Sequence, residues 1–497
     1  MTSPQHVLIV APAAVYEYHF ETDLEIAERH LNAGDRVTMM VCHGNLLACD
    51  PNPLHDVGRC VRCVGRHRTG IARLSGHVQV EPFIQLTDKD RRELHDLKTD
   101  WSTLQEMNEF AVDNFDAGWA VQSSLAAQFM RPDYDVHDQH DQIRRTILSS
   151  VAAFRSVQNF LSRVQVDRLY VFNGRMATMR AVMRAAESKG VPFFIHERGS
   201  SFEKFCLFEN HPPHDLEFFQ DEVRRAWDRA SPDLREAIGA SFFADRVVGI
   251  QTEWYSQSKR QEFGKMPETW KDGARNIVLY HSSSDDLDCL REMVAGKTVY
   301  DNQYEGIDKI IASASEHPDL NLFVRLHPRS ASMPEVGGKR LLEMRRPNLT
   351  VIPADSAIST YAMMRKASRV VSFGSTTGME ATFWGVPSIL GYRSYYDKLG
   401  CVHIPKSHDE MMNMIVRDKL APADKLGALM YGHFMKTFGT PFRYHQPTGI
   451  VGGTFKDRPV RTPAALRTAA RILELPIVRD ASRRLHLRIA DLMLRGS

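Results

Sequence analysis

The hydrophobic positions of the chain fall into short β-branched runs that alternate with longer stretches of helical periodicity. In the first half, these runs predict strands at 6–10, 36–42, 168–172 and 192–196. Helices are predicted at 23–33 and 176–188. This alternation is typical of parallel sheets that helices cover on both faces.

The second half has the same alternation without visible sequence repetition. Its runs predict strands at 276–280, 321–326, 349–352, 369–373 and 388–390. The predicted fold class is therefore α/β, with two Rossmann-like, doubly wound domains. A polar stretch at 257–275, which contains Gly264, Pro267 and Gly273, is the predicted linker. We therefore expect an N-terminal domain at 1–265 and a C-terminal domain at 266–455.

Two segments differ from this pattern. Residues 86–147 carry many charges and a helical period, which predicts a helical insertion in the first domain. Residues 456–497 contain 10 Lys and Arg against 4 Asp and Glu, a net charge of 10 − 4 = +6. Leucines and isoleucines alternate there with arginines, which predicts a basic amphipathic helical tail. Such a tail either packs on the first domain with solvated charges or lies on an anionic membrane surface.

Composition narrows the class of protein. The 497 residues are 43% hydrophobic, which is ordinary for a globular chain of two or three domains. The formal net charge is 63 − 61 = +2, so no global field favours nucleic acid and no such partner is expected. There is no apolar run of membrane-spanning length and no secretory leader pattern. The number of cysteines is 7, an odd number, which argues against a framework of disulfides. We therefore expect a cytoplasmic protein with reduced thiols.

The clearest chemical signal is a Ser/Thr loop after the predicted strand at 369–373. Its sequence is Ser372-Phe373-Gly374-Ser375-Thr376-Thr377-Gly378-Met379-Glu380. Small residues at the start of a helix let backbone N–H groups approach a phosphate, and Ser375, Thr376 and Thr377 add hydroxyl donors. Glu380 lies about one turn further on, where its carboxylate can accept hydrogen bonds from a ribose diol. The alternative is a Ser/Thr helix cap without a ligand.

Two more strand ends carry polar side chains in the same half. Arg325-Leu326-His327-Pro328-Arg329 follows the strand at 321–326. A histidine there can donate to a phosphate oxygen and stabilise the charge that develops as a nucleotide leaves, with Arg325 and Arg329 as bidentate partners. We therefore predict His327 as a catalytic residue. Ser282, Ser283 and Ser284 follow the strand at 276–280, where either their hydroxyls contact the same phosphates or the carboxylates of Asp285 and Asp286 begin the next helix. Because ligands of open α/β sheets bind beyond the carboxyl ends of the strands, these loops are expected to face one crevice.

In the first domain, Glu197-Arg198-Gly199 and Asn173-Gly174-Arg175 also follow strands. A carboxylate at that edge is placed to act as a general base on an acceptor hydroxyl. We therefore predict Glu197 as a catalytic residue, and Asn173, Arg175 and Arg198 as acceptor-side residues. The alternative is that these polar side chains only cap helices.

Four cysteines lie within 22 residues: Cys42, Cys49, Cys60 and Cys63. Four thiols with one close pair suit a structural zinc site in a Cys-rich loop at 42–63, although the spacing of the first pair is wide. An iron–sulfur cluster or a redox pair is the next alternative. Against metal binding, Cys42 can simply be buried at the end of its strand.

The segments Arg325–Pro328 and Ser372–Thr377 resemble the His-Pro and Ser/Thr motifs of bacterial capsule polysaccharide biosynthesis proteins, which include Kdo transferases, and more distantly those of bacterial sialyltransferases. Those enzymes have the GT-B fold, in which two Rossmann-like domains face a cleft, with the donor nucleotide on the C-terminal one and the acceptor on the N-terminal one. The resemblance implies that His327, Ser375 and Thr376 hold the phosphate of a CMP-activated sugar without a metal. The Glu197 triplet departs from the family's acidic-acidic-Gly motif at its second position.

The resulting hypothesis is a metal-independent GT-B glycosyltransferase of capsule or other surface polysaccharide biosynthesis. Its donor is a nucleotide-sugar, with CMP-Kdo favoured, and its acceptor is a glycan or a lipid-linked glycan. No cofactor is expected for catalysis, and zinc is the structural candidate. The tail at 456–497 makes peripheral contact with the cytoplasmic face of the inner membrane the second option for localisation. The alternatives are a nucleotide-sugar epimerase or hydrolase, a CDP-glycerol-type polyol-phosphate transferase, and a metal-dependent scaffold without enzymatic activity.

Overall fold

Strands and helices alternate along most of the chain in a computed structural model that describes residues 3–131, 133–248, 261–283, 298–331 and 336–496. The strands are β1 His6–Ala11, β2 Arg36–Val41, β3 Val78–Pro82, β4 Arg168–Phe172, β5 Phe193–Arg198, β6 Lys204–Glu209, β7 Arg275–His281, β8 Leu320–Arg325, β9 Leu349–Ile352, β10 Arg369–Phe373, β11 Ser388–Leu390, β12 Thr440–Pro441, β13 His445–Pro447 and β14 Gly453–Phe455.

The helices of the described residues cover the intervals between these strands. They are α1 Glu17–Ala33, α2 Val57–Ile71, α3 Asp88–His95, α4 Leu104–Asn108, α5 Ala117–Phe129, α6 His140–Arg163, α7 Ala177–Ser188, α8 Leu216–Arg229, α9 Pro232–Val247, α10 Gln303–Ser313, α11 Val336–Glu343, α12 Thr360–Lys366, α13 Thr377–Phe383, α14 His408–Val416, α15 Leu426–Thr437, α16 Ala464–Leu473 and α17 Pro476–Arg495. Within the described ranges, no helix is both long and apolar enough to cross a membrane.

The chain forms two compact units. Unit 1 comprises Met1–Pro213 and Gly439–Ser497, and unit 2 comprises His214–Phe438. Unit 1 contains a seven-stranded sheet in the order β12-β6-β5-β4-β1-β2-β3. Its strands from β3 to β5 are parallel, whereas β6 pairs antiparallel with both β5 and the edge strand β12.

Unit 2 contains a five-stranded, wholly parallel sheet in the order β11-β10-β7-β8-β9. Alternate residues of β7 point to opposite faces, so Ile277 and Leu279 pack in one buried cluster and Val278 and Tyr280 in another. The sheet is therefore covered on both faces. The parallel core of each unit follows the same order, in which the first strand lies next to the second and the fourth.

The predicted α/β class, with two Rossmann-like units and C-terminal helices, is confirmed, and the GT-B arrangement of the two units stays a prediction. All five strands predicted in the second half are present, and the segment 86–147 contains α3, α4, α5 and the start of α6. The pattern missed β3 and β6. On β3, Val80 is 44% exposed, so this edge strand lacks the buried apolar run that marked the others.

The compact units differ from the predicted domain ranges at both ends. Helices α8 and α9 belong to unit 2 because they pack against α15. At the closest approach, a Cβ on Gly239 would lie 2.4 Å from the Leu429 carbonyl oxygen, so only glycine fits there. Part of the predicted linker at 257–275 falls outside the described residues, and its described part, 261–275, belongs to unit 2.

The segment after α15 returns to unit 1. The buried Glu25 carboxylate accepts hydrogen bonds from the backbone N–H groups of Arg443, Tyr444 and His445, at 2.7 to 3.0 Å. Further on, Arg62 of α2 makes a bidentate ion pair with Glu474 at 2.8 and 2.7 Å, which fixes the end of α16. The C-terminal helices therefore pack on unit 1, which is one of the two arrangements that the sequence left open.

Candidate functional site

A small cavity of about 110 Å³ lies at the carboxyl edge of the unit 2 sheet. Its walls include residues from the ends of β7, β8 and β10, among them His281, Arg325, His327, Ser375 and Thr376. Strand order reverses between β7 and β10, and ligands of open α/β sheets bind at this switch point. The loop at 325–329 and the Ser/Thr loop both line this cavity, as we predicted from the sequence.

Arg325 is the most unusual residue of the cavity. It is the last residue of β8, and only 2% of it is exposed. Its Nη2 donates to the Ser356 carbonyl at 3.0 Å, but Nε and Nη1 are buried without a hydrogen-bond partner among the described residues. Burial lowers the pKa of this guanidinium to about 10. A buried cation with free donors at a cavity wall is suited to an anionic ligand.

His327 is held in a defined tautomer by its neighbours. Its Nδ1 accepts a hydrogen bond from the Arg329 N–H at 3.3 Å, so the proton of the neutral ring is on Nε2. The His327 N–H donates to His281 Nε2 at 3.1 Å, and His281 Nδ1 donates to the Ser282 carbonyl. Burial, helped by His281 and Arg329, lowers the pKa of His327 to about 3. His327 is therefore a neutral donor at physiological pH.

The Ser/Thr loop is tied to an acidic residue below it. Thr376 Oγ1 donates to Glu380 Oε1 at 2.8 Å, and Arg246 of α9 lies 3.2 Å from the same oxygen. Glu380 is fully buried, so the neighbouring guanidinium compensates its charge. Thr377 Oγ1 donates to Ser375 Oγ at 3.0 Å, so Ser375 is the hydroxyl of this loop whose own proton no such contact uses. The contact of Glu380 with a ribose stays a prediction.

Three predicted donor-site residues do not line the cavity. Ser282 and Ser283 are 8% and 4% exposed, and the Ser282 N–H donates to Gln303 of α10 at 3.0 Å, which directs this segment away. Arg329 acts through its backbone N–H, which orients the His327 ring. Conversely, the sequence did not identify Arg246 and Tyr361, which line the cavity from α9 and α12. No motif marks them, because packing of helices brings them to the sheet edge.

In unit 1, the strand ends bring together Asn173 and Glu197. Asn173 follows β4 with a left-handed φ of 64°, and its Nδ2 donates to Glu197 Oε1 at 2.8 Å. Burial raises the pKa of Glu197, although the hydrogen bond from Asn173 and the nearby His196 and Arg198 oppose this effect. A carboxylate with a raised pKa is closer to the proton affinity that a general base needs near neutral pH.

The other acceptor-side residues make different contacts within unit 1. Arg175 donates to Ser123 Oγ at 2.7 Å, and the Arg198 guanidinium lies 5.2 Å from the centre of the Tyr18 ring. The sequence missed a buried pair next to Glu197, in which His196 Nε2 lies 2.8 Å from Asp23 Oδ1. Asp23 is on α1, and its long sequence separation from His196 left no signal. This pair fixes α1 to β5 behind the strand end.

The sequence predicted that the four clustered cysteines lie in one loop at 42–63. The structure differs from this prediction. Cys60 and Cys63 lie on α2, and all four thiols are free. Burial is the main cause that raises the pKa of each thiol, and the other thiols of the cluster add to it for Cys49, Cys60 and Cys63. Among the described residues, no group of three or more His, Cys, Asp or Glu side chains is arranged to hold a metal. The structural zinc therefore stays a prediction, and binding would have to displace protons from these thiols.

No protein-family model matches the chain. No curated protein matches it at a significant level. Among solved structures, the chain is similar to the Thermosulfurimonas dismutans KpsC beta Kdo 2,4 transferase, with 14% identity, 54% of this chain and 79% of that chain covered, and a TM-score of 0.37. The chain is also similar to the spinosyn rhamnosyltransferase SpnG, with 11% identity. That match covers 87% of this chain and 95% of that chain, with a TM-score of 0.25. The UDP-GlcNAc 2-epimerase from Neisseria meningitidis is 12% identical to the chain. The match covers 88% of this chain and 96% of that chain, with a TM-score of 0.24. At such identities and TM-scores these similarities carry no argument about this chain.

The lowered pKa of His327 leads to a prediction about the pH dependence of nucleotide binding. Because its lowered pKa keeps the ring neutral, wild-type protein and His327→Gln should show the same pH dependence of nucleotide affinity between about pH 5 and 8. His327→Ala should weaken binding about 10-fold, since a hydrogen bond to a charged group contributes about 1.5–3 kcal/mol. Isothermal titration with CMP at several pH values measures both. An affinity that falls with the titration of His327 in the wild type alone would contradict the assignment.

Proposed function

We propose that the protein is a glycosyltransferase that uses a nucleotide-activated sugar, with the donor bound by unit 2 and the acceptor by unit 1. A CMP-sugar such as CMP-Kdo is the favoured donor, because of the resemblance of the His-Pro and Ser/Thr segments to those of capsule polysaccharide enzymes. The acceptor is a glycan or a lipid-linked glycan of a capsule or other surface polysaccharide.

The strongest support for the donor site is the buried Arg325 side chain, which has two free N–H donors at the cavity wall. Each of these N–H groups can donate a charge-assisted hydrogen bond to a phosphate oxygen. His327 and the Ser375 hydroxyl line the same cavity and add neutral donors, and Thr376 lines it with a hydroxyl that already donates to Glu380. This set binds a phosphate through protein groups alone, so the proposal needs no metal for donor binding.

The proposed reaction is a displacement at the anomeric carbon of the donor. Glu197 accepts the proton of an acceptor hydroxyl, the hydroxyl oxygen forms the new bond to the anomeric carbon, and the bond from that carbon to the phosphate oxygen breaks. The bonding electrons leave with the nucleotide phosphate. Arg325 and His327 stabilise the charge that develops there. This course inverts the anomeric configuration.

The experiment measures the melting temperature of the protein with CMP, UDP, TDP and CDP-glycerol at equal concentration. UDP and TDP are useful probes because SpnG has been solved with thymidine diphosphate and the Neisseria epimerase with UDP-GlcNAc. At 100 times Kd, a ligand should stabilise the protein by about 2.7 kcal/mol. We expect CMP to give the largest shift, and no shift with any nucleotide would overturn the proposal.

Product analysis separates transfer from the alternative reactions. CMP-Kdo, or whichever nucleotide-sugar stabilises the protein, is incubated with and without a glycan acceptor. A transferase forms a glycoside only with the acceptor. Release of free sugar or a changed sugar without any acceptor would instead identify a hydrolase or an epimerase.

A further inference from the structure

The last helix, α17, leaves an apolar stripe exposed. Ile477, Leu485, Ile489, Leu492 and Met493 are 89%, 62%, 44%, 57% and 47% exposed. At 3.6 residues per turn they lie on one side of the helix. The opposite side faces unit 1, since Ala490 and Leu494 are 2% and 0% exposed. This stripe is therefore not used in the packing of the helix on its own unit.

A cavity of about 530 Å³ lies beside this stripe. Arginines from two helices line it, which are Arg144 and Arg145 of α6 and Arg483, Arg484 and Arg488 of α17. Within the described residues, the three arginines of α17 have no carboxylate at ion-pair distance. The cavity thus combines a concave shape with several guanidinium groups that are free to bind an anion.

The acidic residues of this cavity compensate only part of its charge. Three aspartates line it against the five arginines, a net charge of 5 − 3 = +2. Asp491 is already shared, because it lies 3.3 Å from Arg144 Nη2 and 2.9 Å from Arg495 Nη2. The Nε2 of His55 and the Nδ1 of His486 lie 2.6 Å apart, which further fixes α17 on unit 1. The basic cavity and the apolar stripe are therefore held on one surface of a docked helix.

We propose that the α17 surface docks unit 1 on an anionic phospholipid bilayer. The apolar stripe enters the boundary between headgroups and acyl chains, and the arginine cavity receives a lipid phosphate. A helix in the plane of the interface needs an apolar face flanked by basic residues. A second copy of the chain that covers the stripe through a two-fold contact would bring its own cavity, of the same net positive charge, to this surface. The charge of the cavity therefore favours the lipid.

The test is flotation of the full chain with vesicles of phosphatidylcholine alone and of phosphatidylcholine with one-quarter phosphatidylglycerol. We expect binding to the anionic vesicles only, and weaker binding at high salt. The variant Arg483→Gln/Arg484→Gln/Arg488→Gln should weaken partitioning about 10-fold or more, because each basic residue near the surface contributes about 1 kcal/mol. The variant Leu485→Gln/Ile489→Gln/Leu492→Gln should weaken it similarly.

The matched control removes three arginines from α8, as Arg224→Gln/Arg225→Gln/Arg229→Gln, and should bind anionic vesicles like the wild type. All variants are checked by circular dichroism and by the CMP-induced melting shift, so this proposal and the donor site fail independently.

Equal binding to phosphatidylcholine, or unchanged binding of the α17 arginine variant, would overturn the proposal. So would stabilisation by glycerol phosphate without vesicle binding, which would indicate a site for a free phosphate ester. Self-association that the apolar variant abolishes, in the absence of vesicle binding, would assign the stripe to a second copy and would also overturn it.

Discussion

Replacing Arg325 with methionine should abolish nucleotide binding while leaving the free protein at least as stable as the wild type. The buried guanidinium uses one N–H group on Ser356 and leaves two atoms without partners, so its burial is poorly compensated without a ligand. An apolar side chain removes that cost, and such replacements are often neutral or stabilising. Loss of two hydrogen bonds to a charged phosphate, each contributing about 1.5–3 kcal/mol, should weaken CMP binding about 100-fold or more. Thermal unfolding and isothermal titration measure the two effects.

The matched control is Arg369→Met in the same unit. Arg369 is 4% exposed and begins β10 at the amino edge of the sheet, where it donates to the carbonyls of Ile415 and Arg417. Its loss should lower the free energy of unfolding by about 1–3 kcal/mol, since buried carbonyls lose their donor. CMP affinity at a temperature where the variant is folded should stay within about 2-fold of the wild type. If Arg325→Met destabilised the protein and still bound CMP, the donor site would be wrong.

Replacing Glu197 with glutamine should lower kcat by about 10²–10⁴ without changing nucleotide affinity. The amide keeps the shape of the side chain and its hydrogen bond from Asn173, but it does not accept the proton of an acceptor hydroxyl. Initial rates with a nucleotide-sugar and an acceptor give kcat, and the CMP-induced melting shift reports the donor site separately. Wild-type activity in this variant would remove Glu197 as the base.

The pH dependence of activity and stability gives a second readout for Glu197. Because burial raises its pKa, kcat/KM should fall as pH decreases through that raised value, where the carboxylate becomes protonated. The free energy of unfolding should change in the opposite direction. A carboxyl whose pKa is higher in the folded state than in the unfolded state lowers this free energy as pH rises above the unfolded-state pKa. Glu197→Gln should remove both dependences.

Asn173→Gly provides the matched control for this pH profile. Glycine tolerates the left-handed φ of 64° at this position, so the backbone is kept while the Nδ2 donor is lost. Because that donor lowers the pKa of Glu197, its removal should move the acidic limb of the activity profile to higher pH. A limb that stays in place would show that another group controls it.

Sequence patterns predicted every parallel strand except β3, because each of the others contains a run of apolar residues. Their parallel pairing brought Arg325, His327 and Ser375 to one cavity, since carboxyl ends of neighbouring parallel strands meet at one edge. Arg246 was missed because its position depends on the packing of α9 against α15, which rests on a close approach at Gly239. Edge strands and long-range pairs such as Asp23 with His196 leave no local periodicity.

The return of the chain to unit 1 has a consequence for synthesis on the ribosome. The buried Glu25 carboxylate, made early, meets the amides of Arg443, Tyr444 and His445 only after all of unit 2 has been translated. Until then the Glu25 carboxylate lacks these three donors and has only the ion pair with Arg29 of α1 at 2.7 Å, and the edge of β6 is open. Nascent chains released before residue 439 should therefore depend on chaperones, and removal of the C-terminal segment should leave unit 1 insoluble rather than merely less active.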